Sequence, residues 1–141
     1  MRLSFALPAL LGFAAASFAE GEAKPSTGLM KEQLHAVVRG QLEAFRKKDL
    51  AAAYQFAASE IRAQFSQEEF GKMVRTGYAA IAENQEAVIG LTLDDGEAAV
   101  VNVRVVGPDK KSVSYQYLLQ REEDAWRIGG VVALRDEGTT I

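Results

Sequence analysis

Residues 88–106, VIGLTLDDGEAAVVNVRVV, decide the fold class of this chain. Apolar residues recur here at every second position, the period of a half-buried strand, whereas upstream they recur every three or four. Val88–Leu93 is one strand, Asp94-Asp95-Gly96 a hairpin turn, and Glu97–Val106 the returning strand. Gly107-Pro108-Asp109-Lys110-Lys111 is a second turn and Ser112–Arg121 a third strand. Glu122-Glu123-Asp124 then turns the chain into a fourth, Trp126–Leu134. The C-terminal half is therefore expected to be a four-strand antiparallel meander.

Upstream of this stretch the pattern is helical. Leu34, Val37, Val38, Gln41, Leu42 and Phe45 place a stripe on one face of a helix running to about Lys48. Arg46, Lys47 and Lys48 fall in its last turn, where they favour the negative end of the helix dipole. Gly40 interrupts it, costing up to about 1 kcal/mol relative to alanine and leaving room for a close neighbour. Asp49 caps a short helix, Leu50–Phe56, and Ser59–Phe65 adds another turn. Ser66-Gln67-Glu68-Glu69 is a capping box flanked by Phe65 and Phe70 at the staple positions. That helix carries Met73 and Val74 and ends near Gly77, with Tyr78, Ile81 and Ala82 in a loose turn after it. Helices first and strands afterwards make an α+β domain.

The ends of the chain read differently. Residues 1–19, MRLSFALPALLGFAAASFA, have a positive start, an apolar middle and a small-x-small end, the pattern of a signal peptide. The run is short for a membrane span and Pro8 and Gly12 interrupt it. Residues 20–29 are a flexible lead-in, 30–135 the domain, and 136–141 a C-terminal tail. Export to a periplasm or secretion follows, with no stable membrane insertion after cleavage. The formal charge of −3 becomes −4 on loss of Arg2, and without a basic patch nucleic acid is not an expected partner. The absence of cysteine excludes disulfides, thiolate metal sites and lipidation at the cleavage site.

The segments VVRGQLEAFRKKDLAAAYQFAASEIRAQF (37–65), EEFGKMVRTGY (68–78) and YQYLLQREEDAWRIGGVVAL (115–134) together resemble the bacterial proteins grouped as domain of unknown function 4864. These are similar to the NTF2-like (nuclear transport factor 2-like) superfamily. The resemblance implies an α+β cone, with N-terminal helices packed against a curved antiparallel sheet. It does not imply one activity, because that superfamily holds isomerases, dehydratases, cyclases and pure binding or dimerising domains. Isomerase-like members use a tyrosine on the first helix and buried acids on the sheet. The first helix here has no tyrosine, and the strand interiors have no Asp or Glu.

Candidate functional residues are few. His35 is the single histidine and has no carboxylate at helical spacing to poise it, so it reads as a rim residue. One histidine and scattered turn acids make no metal site, and no cofactor is expected. On the third strand, alternation puts Val113, Tyr115, Tyr117 and Leu119 on one face, where the tyrosines line a cone interior or simply cap its core. Arg104 shares a face with Val100 and Asn102, either toward water or into a pocket needing an anion. Arg62, Tyr54 and Tyr78 are placed at the cone mouth. Tyr54, Arg62, Tyr78, Arg104, Tyr115 and Tyr117 form the candidate ligand pocket. Trp126 is expected to plug the core, sharing a face with Ile128 and Val132.

Three functional readings follow. The leading one is an exported non-catalytic module binding a small molecule or an envelope protein. The second is a small NTF2-like enzyme of isomerase or hydrolase type, and the third a structural homodimer joined through its open sheet face. An open apolar cavity of several hundred cubic ångströms with Arg62 or Arg104 at its wall favours ligand binding. A filled cone favours the structural or protein-binding reading, and a buried acid beside a tyrosine favours the enzyme.

Overall fold

The computed structural model describes residues 23–134, so the signal-peptide reading of 1–19 and the tail at 136–141 lie outside the described residues. Its elements are β1 (Lys24–Pro25), α1 (Gly28–Arg46), α2 (Leu50–Gln55), α3 (Ser59–Gln64), α4 (Gln67–Gly77), α5 (Ala79–Ala82), β2 (Glu86–Asp94), β3 (Ala98–Val106), β4 (Ser112–Glu122) and β5 (Ala125–Ala133). The strands form one antiparallel sheet in the order β1-β2-β3-β4-β5. The helices precede the meander, as the change of period requires. Among the described residues no helix is long and apolar enough to cross a membrane.

The long helix α1 buries the stripe its spacing foretells: Leu34, Val38, Gln41, Leu42 and Phe45, with Ala44 beside them. At Gly40 a Cβ would stand 2.5 Å from the Phe56 ring, so the missing side chain admits that ring against α1. Asp49 accepts a hydrogen bond from the Ala52 amide and starts α2. The Ser66 hydroxyl accepts from the Glu69 amide while the Glu69 carboxylate accepts from the Ser66 amide, completing the capping box of α4.

Alternation divides the sheet into two faces. Ala99, Val101, Val103 and Val105 of β3 oppose Leu119, Tyr117, Tyr115 and Val113 of β4, on the face that packs against the helices. Val100, Asn102 and Arg104 lie on the outer face.

Two details depart from the sequence expectation. The sheet has a fifth strand, because Lys24 and Pro25, inside the expected flexible lead-in, pair with Asp94 and Leu93. A two-residue strand carries no periodicity, and its hydrogen bonds come entirely from a partner far along the chain. The second departure is in β5. The register shifts between Leu118 and Leu119, so that Leu119 opposes Ile128 while Leu118 opposes Gly130. Gly129 is the extra residue of a bulge, and it moves every later side chain to the other face. Trp126 and Ile128 are buried as expected, but their companion on the inner face is Val131; Val132 is exposed on the outer one.

Candidate functional site

A cavity of about 50 Å³ lies where α1, α3, α4 and α5 meet the far half of β5. Its wall is apolar: Phe45, Ile61, Phe70, Met73, Ile81 and Val131 supply most of it. At roughly 10–15 Å³ per water it holds about three to five water molecules, the size of a short alkyl group. The capping box starts α4 in the orientation that aims Phe70, Met73 and Val74 inward, and the β5 bulge turns Val131 toward them.

Two polar side chains reach this wall. Gln41 is buried in α1, and its Nε2 donates to the Ala53 carbonyl at 3.1 Å. Among the described residues its Oε1 accepts no hydrogen bond. Tyr78, between α4 and α5, donates its phenolic proton to the Val131 carbonyl at 3.0 Å. Among the described residues neither Asp, Glu, His, Lys nor Arg lines the cavity.

The six sequence candidates separate into three groups. Tyr78, Tyr115 and Tyr117 come together: the Tyr78 and Tyr115 rings are 6.1 Å apart, and Tyr117 lies one residue pair further along the inner face of β4. Burial pushes the Tyr78 phenol above its ordinary value, and it lifts Tyr115 to about 12 with help from Tyr78. Tyr117 is raised further still, by complete burial first and then by its two tyrosine neighbours. Its hydroxyl finds no partner among the described residues. All three stay neutral at physiological pH, so none is a base, and only Tyr78 touches the cavity.

Tyr54 and Arg62 form the second group, within the helical layer. The Tyr54 hydroxyl lies 3.1 Å from the Arg62 carbonyl and 2.5 Å from the Phe65 carbonyl, and its ring tilts against Phe70 at 5.4 Å. The Arg62 Nε donates to the Ala57 carbonyl at 3.1 Å. These bonds tie α2, α3 and the start of α4 together, and neither side chain lines the cavity. Arg104 stands alone. It is exposed on the outer face between Val88 and Ser114, so of its two readings the water-facing one fits the register.

His35 is engaged structurally. Its Nε2 lies 2.9 Å from the Thr92 hydroxyl, whose own proton goes to the Gly90 carbonyl at 2.9 Å, so Nε2 is the donor. Trp126 is buried with the Arg121 guanidinium 5.4 Å from its ring centre. Among the described residues no group of three or more potential metal ligands converges.

Of the lining residues Tyr78 alone is a sequence candidate, and Gln41, Met73 and Val131 are among those the sequence does not single out. Gln41 carried a signal: it is the one polar member of the apolar stripe on α1. Met73 and Val131 carried none, since an apolar residue lining a cavity and one filling a core look alike in sequence.

A family model described as "Domain of unknown function (DUF4864)" matches residues 29–141. No curated protein matches the chain. Among solved structures, the crystal structure of an NTF-2 like protein of unknown function from Shewanella oneidensis MR-1 superposes with a TM-score of 0.56. The match covers 74% of this chain and 98% of that one at 16% identity. At that identity the likeness shows the fold alone.

Proposed function

We propose, from the premise that this chain belongs to the DUF4864 family and has an NTF2-like fold, that it is an exported non-catalytic module that binds a small, largely apolar ligand in the cavity beside β5. The observation that carries this reading is the composition of the wall. Among the described residues it offers an apolar surface with two polar side chains, Gln41 and Tyr78, and no charged group that would move a proton or stabilise a developing charge. The three buried tyrosines hold their protons and serve the wall and core as rigid apolar bodies with one polar end.

At about 50 Å³ and with neither Arg62 nor Arg104 at its wall, the cavity falls short of the pocket of several hundred cubic ångströms that encloses a whole ligand. It admits a slim apolar end group while the remainder of the ligand stays at the mouth. The test is a titration of the ¹⁵N-labelled protein with 1-butanol, whose chain is slim enough to enter, followed by amide shifts. Saturable shifts confined to residues around Gln41, Met73 and Val131 are expected, and Met73→Trp, which fills the space, is expected to abolish them with the remaining spectrum intact. No saturable shift, or shifts unchanged by Met73→Trp, overturns the reading.

A further inference from the structure

The two outer strands of the sheet are treated differently. The β5 edge is covered in its middle, where Ile128 donates to the Phe56 carbonyl at 2.8 Å and accepts from the Ala58 amide at 2.8 Å, and the Val131 carbonyl accepts from Tyr78. On the other side β1 covers only Leu93 and Asp94, with the Ser26 amide reaching the Thr92 carbonyl at 2.8 Å. Residues 86–89 of β2 pair with β3 on one edge, and among the described residues nothing pairs with their other edge. Natural edges are usually guarded by charged side chains, proline, a bulge or a covering segment. Here Glu86 and the bulge after Ile89 bound the edge at its two ends, and Ala87, Val88 and Ile89 between them carry no such guard.

Helix α1 runs antiparallel to β2 beside this edge and is clamped to it at both ends. His35 bonds to Thr92 near the C-terminal end of β2, and the Arg46 Nε donates 2.8 Å to the Asn84 side-chain oxygen just before its start. Between the clamps lies a groove of about 480 Å³ lined by Arg39, Gly40, Leu42, Glu43, Arg46, Ala87 and Ile89. Its net charge is positive, two arginines against one glutamate. Glu43 is engaged by Arg46 and by Lys47 at 3.8 Å, and alternation places Glu86 on the opposite face of the sheet. Arg39 and Lys31 make no ion pair with an acid among the described residues, and both lie close enough to His35 to lower its pKa, second to desolvation.

We infer that the free edge of β2 at residues 86–89, with the basic groove against α1, is a docking site for an extended acidic segment of a protein partner. The segment adds to the sheet as a strand. Its backbone pairs with β2, and alternate side chains enter the groove toward Arg39. A second copy of this chain is a poorer occupant, because pairing two β2 edges brings two Arg39 stripes together. The site is separate from the cavity at Gln41, so either proposal can fail without the other.

The test uses three capped heptapeptides: alternating glutamate and valine, alternating lysine and valine, and the glutamate peptide N-methylated at alternate amides. Amide hydrogen exchange of residues 86–89 and isothermal titration are the readouts. The glutamate peptide is expected to bind and to slow exchange at the edge-facing amides. The lysine peptide is expected to bind at least about tenfold more weakly, and Arg39→Glu to reverse the preference. N-methylation on the pairing side is expected to abolish binding. Binding that ignores charge sign or N-methylation overturns the proposal, as does the absence of binding. Edge amides already protected in the peptide-free protein overturn it too, since the chain itself or a second copy then occupies the edge.

Discussion

At the residue scale, one glycine and one histidine have consequences that can be measured. Alanine at position 40 gains up to about 1 kcal/mol of helix propensity, yet its Cβ would sit 2.5 Å from the Phe56 ring. Overpacking of that kind costs about 1–3 kcal/mol, so Gly40→Ala is expected to destabilise the protein on balance. In a Phe56→Ala background the clash is gone, and the same change is expected to be neutral or stabilising; urea unfolding of the four-member cycle checks this. His35 is held below its ordinary pKa of 6.5 by desolvation first, then by Arg39 and Lys31. Between that lowered value and 6.5 the unfolded chain binds more protons than the folded one, so stability rises with pH in this window. The urea midpoint is expected to be lower at about pH 5.5 than at about pH 7.5, with the slope reduced in His35→Gln. The residue that matters most to the proposed site, Gln41, was visible only as a polar interruption of an apolar stripe. That its oxygen is left without a partner depends on Ala53, which reaches its amide from the next helix.

At the element scale, the parts whose cause is local were legible. The capping box of α4 is written in four consecutive residues, and both of its hydrogen bonds form. Ser66→Ala is expected to cost about 1 kcal/mol, read from thermal or urea unfolding. Because α4 carries Phe70, Met73 and Val74 to the cavity, the same change is expected to weaken 1-butanol binding as well. The elements that were misplaced have non-local causes. Lys24 and Pro25 are a strand only because Asp94 and Leu93 are there to pair with. The bulge at Gly129 is a mismatch of register between β4 and β5, which no periodicity within β5 can report, and it exchanged Val132 for Val131 on the inner face.

At the scale of the whole molecule, the interior is nearly filled by its own side chains, and three of the chain's four tyrosines share it. Their phenols are raised above the ordinary value of 10, Tyr115 to about 12, chiefly by burial. The unfolded chain ionises near 10 and the folded one later, so stability is intact below that pH and is lost as pH rises through the folded values. An alkaline titration followed at 295 nm is expected to show most phenolate absorbance appearing above pH 10 in step with loss of near-ultraviolet circular dichroism. Tyrosines titrating near their ordinary value while the fold persists would contradict the packing described.

The sequence by itself determined the α+β order, the span of each long element, the caps and the inner faces of β3 and β4. All of these follow from interactions between residues close along the chain. Only the tertiary structure decided which candidates meet. It gathered Tyr78, Tyr115 and Tyr117, held Tyr54 and Arg62 within the helical layer, and left Arg104 outside. It also placed Gln41 at a cavity and left one edge of β2 open beside α1. Those outcomes depend on register, bulges and helix packing, where a shift of one residue or a few ångströms reverses the result, and local patterning carries no information about either.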